Sequence, residues 1–393
     1  MTNGLPQPLI EDKPVLENGG QAVRAFNATD FFRVPLAYMG SIESPAALGI
    51  YIPQPEVGLV PVGVTEQFLA DADTYHRHYT NTAYFKLLIS DAMKRINFRA
   101  DCLTILDIGS GSGNSVFPCL ELFPDCRIVA TDLSPNLLRI LLDHVNGDPA
   151  SLGRVLPVCM DATRDYYAEH AFDLVIGAAI LHHLIDPGAA ITAAARALKP
   201  GGVAVFFEPF ENGNSILRIA YSQILARDEE ARNSPPTRQR SWLEWLRGAA
   251  PPVTTTDSEL PADISAMLRA TVESFAVRSG ADKSAPLFQS MDDKWLFTRS
   301  YIEERARAAG FDEVLIYPIH AVERPFSHQT EVNLSLGIGA SAERLPGWAW
   351  EILDYYDRLF SMELKRDLFI EACIILRKNG DEIQPAIHAA QQI

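Results

Sequence analysis

Three groups of residues in this chain have types and spacings that could do chemistry. The first is Ile105-Leu106-Asp107-Ile108-Gly109-Ser110-Gly111-Ser112-Gly113-Asn114-Ser115. An apolar, β-rich segment, Leu103 to Ile108, runs into it, and a helical pattern, Val116 to Leu122, leaves it. Gly109, Gly111 and Gly113 lack Cβ atoms, so the turn can be tight and a ligand can lie against bare main chain. The helix start beyond them offers free N–H groups and a positive dipole end, which suit an anionic ligand group. The second is Asp132, which closes the strand-like run Arg127 to Asp132 about 20 residues past the loop. There a carboxylate can accept both hydroxyls of a ribose. The third is the pair His182-His183 together with Glu208. They follow the apolar runs Phe172 to Gly177 and Val203 to Phe207, beside the crevice where such sheets bind ligands. Imidazole titrates near neutral pH, so this group can move protons.

Which nucleotide the loop takes follows from its spacing. The dinucleotide fingerprint is G-x-G-x-x-G. Counted from Gly109 its third glycine falls on Asn114, and counted from Gly111 it falls on Val116. A nicotinamide enzyme is therefore disfavoured. The spacing present, D-x-G-x-G-x-G from Asp107 to Gly113, resembles motif I of the class I S-adenosylmethionine (SAM) dependent methyltransferases. The resemblance runs continuously over about residues 98 to 210. It implies an α/β fold: a Rossmann-like, doubly wound, seven-stranded sheet with an antiparallel last strand, plus mainly helical cap insertions. It implies SAM as cofactor, with the glycines making room for its methionine and ribose portions. Asp161 would then accept a hydrogen bond from the adenine amino group while Ala162 donates its backbone N–H to the ring. Asp107, Ser110, Asn114, Leu133 and Ala178 would complete the cofactor contacts. His182 or His183 becomes a general base, and Glu208 a group that orients a substrate amine or hydroxyl. Helices preceding motif I cover cofactor and substrate in this family, which makes Tyr75 and Tyr79 lid residues.

These residues need a scaffold, and the patterning supplies one. Leu103–Ile108, Arg127–Asp132, Val155–Val158, Phe172–Gly177 and Val203–Phe207 read as strands separated by helical segments. Ser134-Pro135 caps and starts one helix, and Lys199-Pro200-Gly201-Gly202 stops another. Strands alternating with helices give a parallel, doubly wound sheet. Val314–Tyr317 and Leu368–Leu376 read as the remaining strands. The resulting organisation is an N-terminal extension over 1–64, a helical lid over 65–97 and a SAM-binding core over 98–210. A helical substrate-cap insertion follows over 211–290, then the rest of the core over 291–378 with a helical insertion at about 320–365, and a tail over 379–393. The extension reads as draped over the main domain or over a partner subunit. Arg227, Arg232, Arg238, Arg240 and Arg247 read as a solvated helix face beside nearby acids.

Composition narrows the function class. The 393 residues carry a net charge of −16, which lowers the prospect of a nucleic-acid partner, and no nucleic-acid motif is present. Met1 to Gly20 lacks the basic and apolar regions of a secretory signal. No apolar run approaches the ~18 residues of a membrane helix. The five cysteines, Cys102, Cys119, Cys126, Cys159 and Cys373, form no C-x-x-C pair and read as reduced thiols of a cytoplasmic enzyme. No His/Cys/Asp set has metal-ligand spacing, so no metal is expected. The expectation is a SAM-dependent methyltransferase acting on a small molecule, with oxygen or carbon favoured as acceptor over nitrogen or sulfur, and with a homodimer left open. The alternatives are an enzyme that uses the sulfonium for another reaction, and a non-catalytic SAM-binding subunit.

Overall fold

The computed structural model describes residues 27–39, 49–59, 64–98, 103–233, 259–280, 283 and 285–379. In chain order its strands are β1 (Leu36–Tyr38), β2 (Tyr51–Pro53), β3 (Thr104–Ile108), β4 (Arg127–Asp132), β5 (Val155–Cys159), β6 (Phe172–Ala178), β7 (Leu198–Pro209), β8 (Glu313–Pro318) and β9 (Glu371–Arg377). They form one sheet in the order β1-β2-β5-β4-β3-β6-β7-β9-β8. The central strand β3 is buried at every position, which is why Ile105, Leu106 and Ile108 are apolar without alternation. It pairs in parallel with β4 (Ile105 opposite Ile128) and with β6 (Ile105 opposite Leu174).

The last strand, β9, runs against its neighbour β7. Gly201 N–H donates to Lys378 O at 2.8 Å, and Lys378 N–H to Gly202 O at 3.1 Å. At the far end of the pairing Phe210 N–H donates to Ile370 O at 2.9 Å, so partner numbers fall along β9 as they rise along β7. The strand count differs from the expected seven. The strands β3 to β9 are those expected, and β1 and β2 are added from the segment read as an extension. β1 pairs antiparallel with β2, and β2 joins the sheet edge in parallel through Tyr51 opposite Val158. Its short runs are interrupted by proline, which hid them from periodicity. Phe31 and Phe32 are buried, and Phe32 bridges to Tyr167. These residues pack on the chain's own sheet. Residues 1–26, 40–48, 60–63 and 380–393, with Cys102, Arg238, Arg240 and Arg247, lie outside the described residues.

Caps fix where the helices around the site begin. Ser134 Oγ accepts the Leu137 N–H at 3.2 Å, with Pro135 at the first helical position of Pro135–Gly147. Asn81 accepts the Tyr84 N–H at 3.1 Å and separates helices Ala72–Tyr79 and Thr82–Arg95. The chain divides into two compact units, the first being Met1–Glu208, Asp282–Ile316 and Cys373–Ile393, the second Pro209–Ala281 and Tyr317–Ala372. The two helical insertions, read separately in the sequence, therefore share one unit. Its core joins Leu217, Tyr221 and Ile224 to Phe326, Trp348 and Leu353. Arg227 lies 4.9 Å over the Trp348 ring and Arg232 pairs with Asp228 at 2.9 Å, so both serve that unit's own packing. No helix among the described residues is long and apolar enough to cross a membrane. All the candidate site residues lie in the first unit.

Candidate functional site

The glycine loop leaves β3 with Gly109, Gly111 and Gly113 at φ of +67°, +51° and +111°. These are left-handed conformations that other residues resist. The three glycines do different work. A Cβ on Gly109 would sit 2.3 Å from Ile180, and one on Gly113 would sit 2.3 Å from Phe117. Both are therefore glycine because neighbouring side chains press on the turn. A Cβ on Gly111 meets nothing within 4 Å. Among the three, Gly111 alone presents its main chain to open space.

Acids hold the loop from below. Asp132 ends β4 and accepts the Gly111 N–H at 2.8 Å through Oδ2 and the Ser134 N–H at 2.8 Å through Oδ1. Burial pushes its pKa up to about 6, against these backbone donors. Asp107 is buried in β3; its Oδ2 accepts the Ser115 hydroxyl at 2.6 Å and its Oδ1 has no partner. Burial pushes this carboxyl up to about 7. Ser110 Oγ and Glu56 Oε1 are buried without partners as well. At the end of β5, Asp161 spends Oδ1 on the Thr163 N–H at 2.9 Å and the Thr163 hydroxyl at 2.7 Å.

The helices before β3 close over the loop. Asn114 Oδ1 accepts the Asn81 N–H at 2.8 Å and its amide donates to Tyr79 O at 3.0 Å. Both polar ends of its side chain are thus spent on the lid. His76 Nδ1 and Ser112 Oγ are 2.8 Å apart, a second tie between lid and loop. Tyr75 packs edge-on against Phe68 at 4.8 Å, and Phe68 packs against His183 at 5.4 Å. Burial raises the Tyr75 pKa, with Asp132 as the next cause, which places this phenol beside the loop acids. Tyr79 rests on Tyr75 at 4.9 Å and is 48% exposed, so it covers the lid's outer side.

Beyond β6 the chain turns sharply. Ala179 adopts φ +58°, a strained value for a residue with a Cβ. Glu208, 1% exposed at the end of β7, holds that turn. Its Oε1 accepts the N–H groups of Ile180 at 3.0 Å and Leu181 at 2.7 Å. Its Oε2 accepts the His182 N–H at 3.2 Å and lies 2.7 Å from His182 Nδ1. Every hydrogen-bonding direction of this carboxylate is taken by the chain. Glu208, expected to orient a substrate amine or hydroxyl, is thus engaged with the turn and with His182. The other ring nitrogen, His182 Nε2, is 3.4 Å from Asp293 Oδ1. Burial disfavours the charged ring, yet Glu208 and Asp293 outweigh it and lift the pKa to about 9. Its neighbour behaves oppositely. Burial and the charge of His182 push His183 down to about 3, and its Nδ1–H donates to Asp292 O at 3.0 Å. A neutral His183 of such low basicity is a poor proton acceptor.

The family described as Methyltransferase domain matches residues 106–206, from inside β3 to inside β7. Over this segment the chain is similar to the methyltransferase domain family. At 23% identity over 226 residues the chain is similar to fusarielin synthase of Gibberella zeae, the match covering 55% of this chain and 8% of that protein. At 24% over 195 residues it is similar to malonyl-[acyl-carrier protein] O-methyltransferase of Halalkalibacterium halodurans, covering 45% of this chain and 71% of that protein. Phosphoethanolamine N-methyltransferase 2 of Haemonchus contortus, solved with S-adenosyl-L-methionine, aligns at 16% identity and a TM-score of 0.42 over 84% of this chain and 62% of that one. The chain spans less than a tenth of the length of the fungal synthases it matches.

Several residues around the methyltransferase domain carried no sequence signal. Asp292 is held by the Thr65 hydroxyl and by Gln67 Nε2 at 2.6 Å, and the Lys294 N–H donates to His182 O at 2.7 Å. The acids at 292 and 293 reach the histidines across about 110 residues of chain, which spacing cannot reveal. The fold also brings together side chains whose spacing in the sequence showed no metal-type cluster. Ligand atoms of His182, His183 and Asp293 lie within 4.8 Å of one another.

Proposed function

We propose that this chain moves a methyl group from SAM to an oxygen or carbon of a small molecule, with His182 taking the acceptor's proton. One observation carries the reading. Buried polar atoms without partners, Asp107 Oδ1, Ser110 Oγ and Glu56 Oε1, border the same strand ends as the bare main chain of Gly111. A protein keeps such atoms dry and unpaired where a ligand completes them. When bound, the sulfonium supplies an already activated methyl group. Asp132 keeps a second lone pair on each oxygen for the ribose hydroxyls, and Asp107 Oδ1 offers an acceptor for the cofactor's ammonium group. Tyr75 and Phe68 exclude water from the far side. Holding acceptor and methyl group in line is worth ~7–11 kcal/mol in the best model systems.

With Nδ1–H fixed on Glu208, His182 can accept a proton only at Nε2. An incoming acceptor takes the place of the Asp293 oxygen at that nitrogen. A base that Glu208 holds above the ordinary imidazole range suits a weakly acidic acceptor, such as a phenol near ~10 or a carbon between two carbonyls. The O-methyltransferase among the relatives supports oxygen. The test is incubation with methyl-labelled SAM and a metabolite extract, followed by mass analysis. The expected outcome is an acceptor heavier by one CH2 and an equal amount of S-adenosylhomocysteine. Cofactor binding without either product would leave a binding subunit, and no cofactor binding would sink the reading.

A further inference from the structure

Resting on the cofactor reading above, we infer that Glu56 is the side chain that recognises the adenine 6-amino group, in place of Asp161. The path of the ligand follows from strand order. The glycine loop follows β3, Asp132 follows β4, and β5 is next across the sheet. A nucleoside with its ribose on Asp132 and its 5′ side on the loop lays its base over the end of β5. Met160, Asp161 and Ala162 stand there.

Asp161 is poorly placed to serve that base. Its Oδ1 is spent on both donors of Thr163, and its Oδ2 lies 3.5 Å from Arg164 Nε with the side chain 34% exposed. Glu56 is the reverse. It is 7% exposed, its Oε2 accepts the Asp161 N–H at 3.1 Å, and its Oε1 is buried with no partner. A buried acceptor left unpaired is costly, and a ligand N–H removes the cost. The Ala162 N–H, one residue on, has no acceptor among the described residues. A free acceptor beside a free donor matches the 6-amino and N1 edge of adenine. It opposes the edge of a 6-oxo purine, which has the reverse polarity.

The edge strand explains how Glu56 arrives. The turn Gln54–Glu56 follows β2 directly, and β2 is registered on β5 by Tyr51 opposite Val158. Glu56 lies outside the segment 106–206 that matches the methyltransferase domain, so the domain alone does not supply it.

Calorimetry on the 393-residue chain tests this, with S-adenosylhomocysteine and its 6-oxo analogue S-inosylhomocysteine as probes. The wild type should prefer the adenosine form by roughly ten- to a hundredfold, the worth of a hydrogen bond to a charged group. Glu56→Gln keeps the shape, and its amide can turn a donor to the 6-oxo group, so the preference should collapse to near unity. Asp161→Asn should leave the preference in place. An unchanged preference in Glu56→Gln, or a collapse in Asp161→Asn alone, overturns the assignment while leaving the cofactor reading intact. If Glu56→Gln binds neither probe, the wild type decides: equal binding of the two overturns the assignment. Failure of the wild type to bind S-adenosylhomocysteine at all overturns the cofactor reading, and this inference with it.

Discussion

The glycine loop and the histidine turn sit at the ends of neighbouring strands, yet they are built in opposite ways. Around the loop, Asp107 Oδ1 and Ser110 Oγ are buried without partners, and Gly111 faces open space. Around the turn, both oxygens of Glu208, both nitrogens of His182 and Nδ1 of His183 have partners. The loop keeps unpaired acceptors and open space. The turn is a closed network whose member His182 is released only by displacing Asp293. Binding and proton transfer are therefore expected to respond separately to substitution, and each prediction below probes that separation.

The largest effect is expected at the turn. His182→Ala should lower kcat roughly 10²–10⁴-fold, the usual worth of a general base, with the SAM dissociation constant unchanged. Glu208→Gln should move the pH profile as well as the rate, because it removes the carboxylate that raises His182. A wild-type kcat in His182→Ala, measured in single turnover, would end the proton-acceptor role.

Next comes a contrast inside the loop. Gly109→Ala puts a Cβ 2.3 Å from Ile180 and should destabilise the fold by ~1–3 kcal/mol in denaturant unfolding. Gly111→Ala adds a Cβ that meets nothing within 4 Å, so beyond the left-handed backbone cost that both variants share it should lose no further stability and should weaken SAM binding. Equal losses of stability in both variants would contradict the difference drawn between them.

Asp107→Asn should split stability from binding. The Asp107 carboxyl is lifted by burial from its ordinary 3.8 to about 7, so the ionised form costs stability that grows as pH rises through that window. Without cofactor at pH 8, Asp107→Asn should therefore be more stable by on the order of 1–3 kcal/mol, and should bind SAM more weakly. Thermal unfolding with and without SAM reads both.

The smallest effect is expected from pH on His182. Its folded-state pKa of about 9 exceeds the ordinary 6.5, so the stability it contributes is complete below pH 6.5 and is lost as pH rises through 9. Methyl transfer should run the other way, rising toward pH 9 as Nε2 becomes free to accept a proton. A rate that falls over that range would point to a charged His182 as the working form.

The cradle was legible in the sequence because its parts are local. Asp107 to Gly113 is one turn, and Asp132 follows one helix later, so spacing sufficed. The histidine pair was legible as chemistry, but its roles were not. Burial and the acids that face the rings make His182 basic and His183 inert, and Asp293 lies about 110 residues away. Glu208 was legible as an acid at a strand end, whereas its four contacts to the turn became visible only with the fold.

By itself the sequence determined the parallel sheet, the glycine loop and the acid that closes β4. These depend on apolar runs and chain reversals that neighbouring residues dictate. Only the tertiary structure decided that two edge strands extend the sheet, that the two helical insertions share one core, and that Glu56 reaches Asp161. Those outcomes depend on contacts between distant segments, where burial and pairing, rather than local pattern, set the free energy.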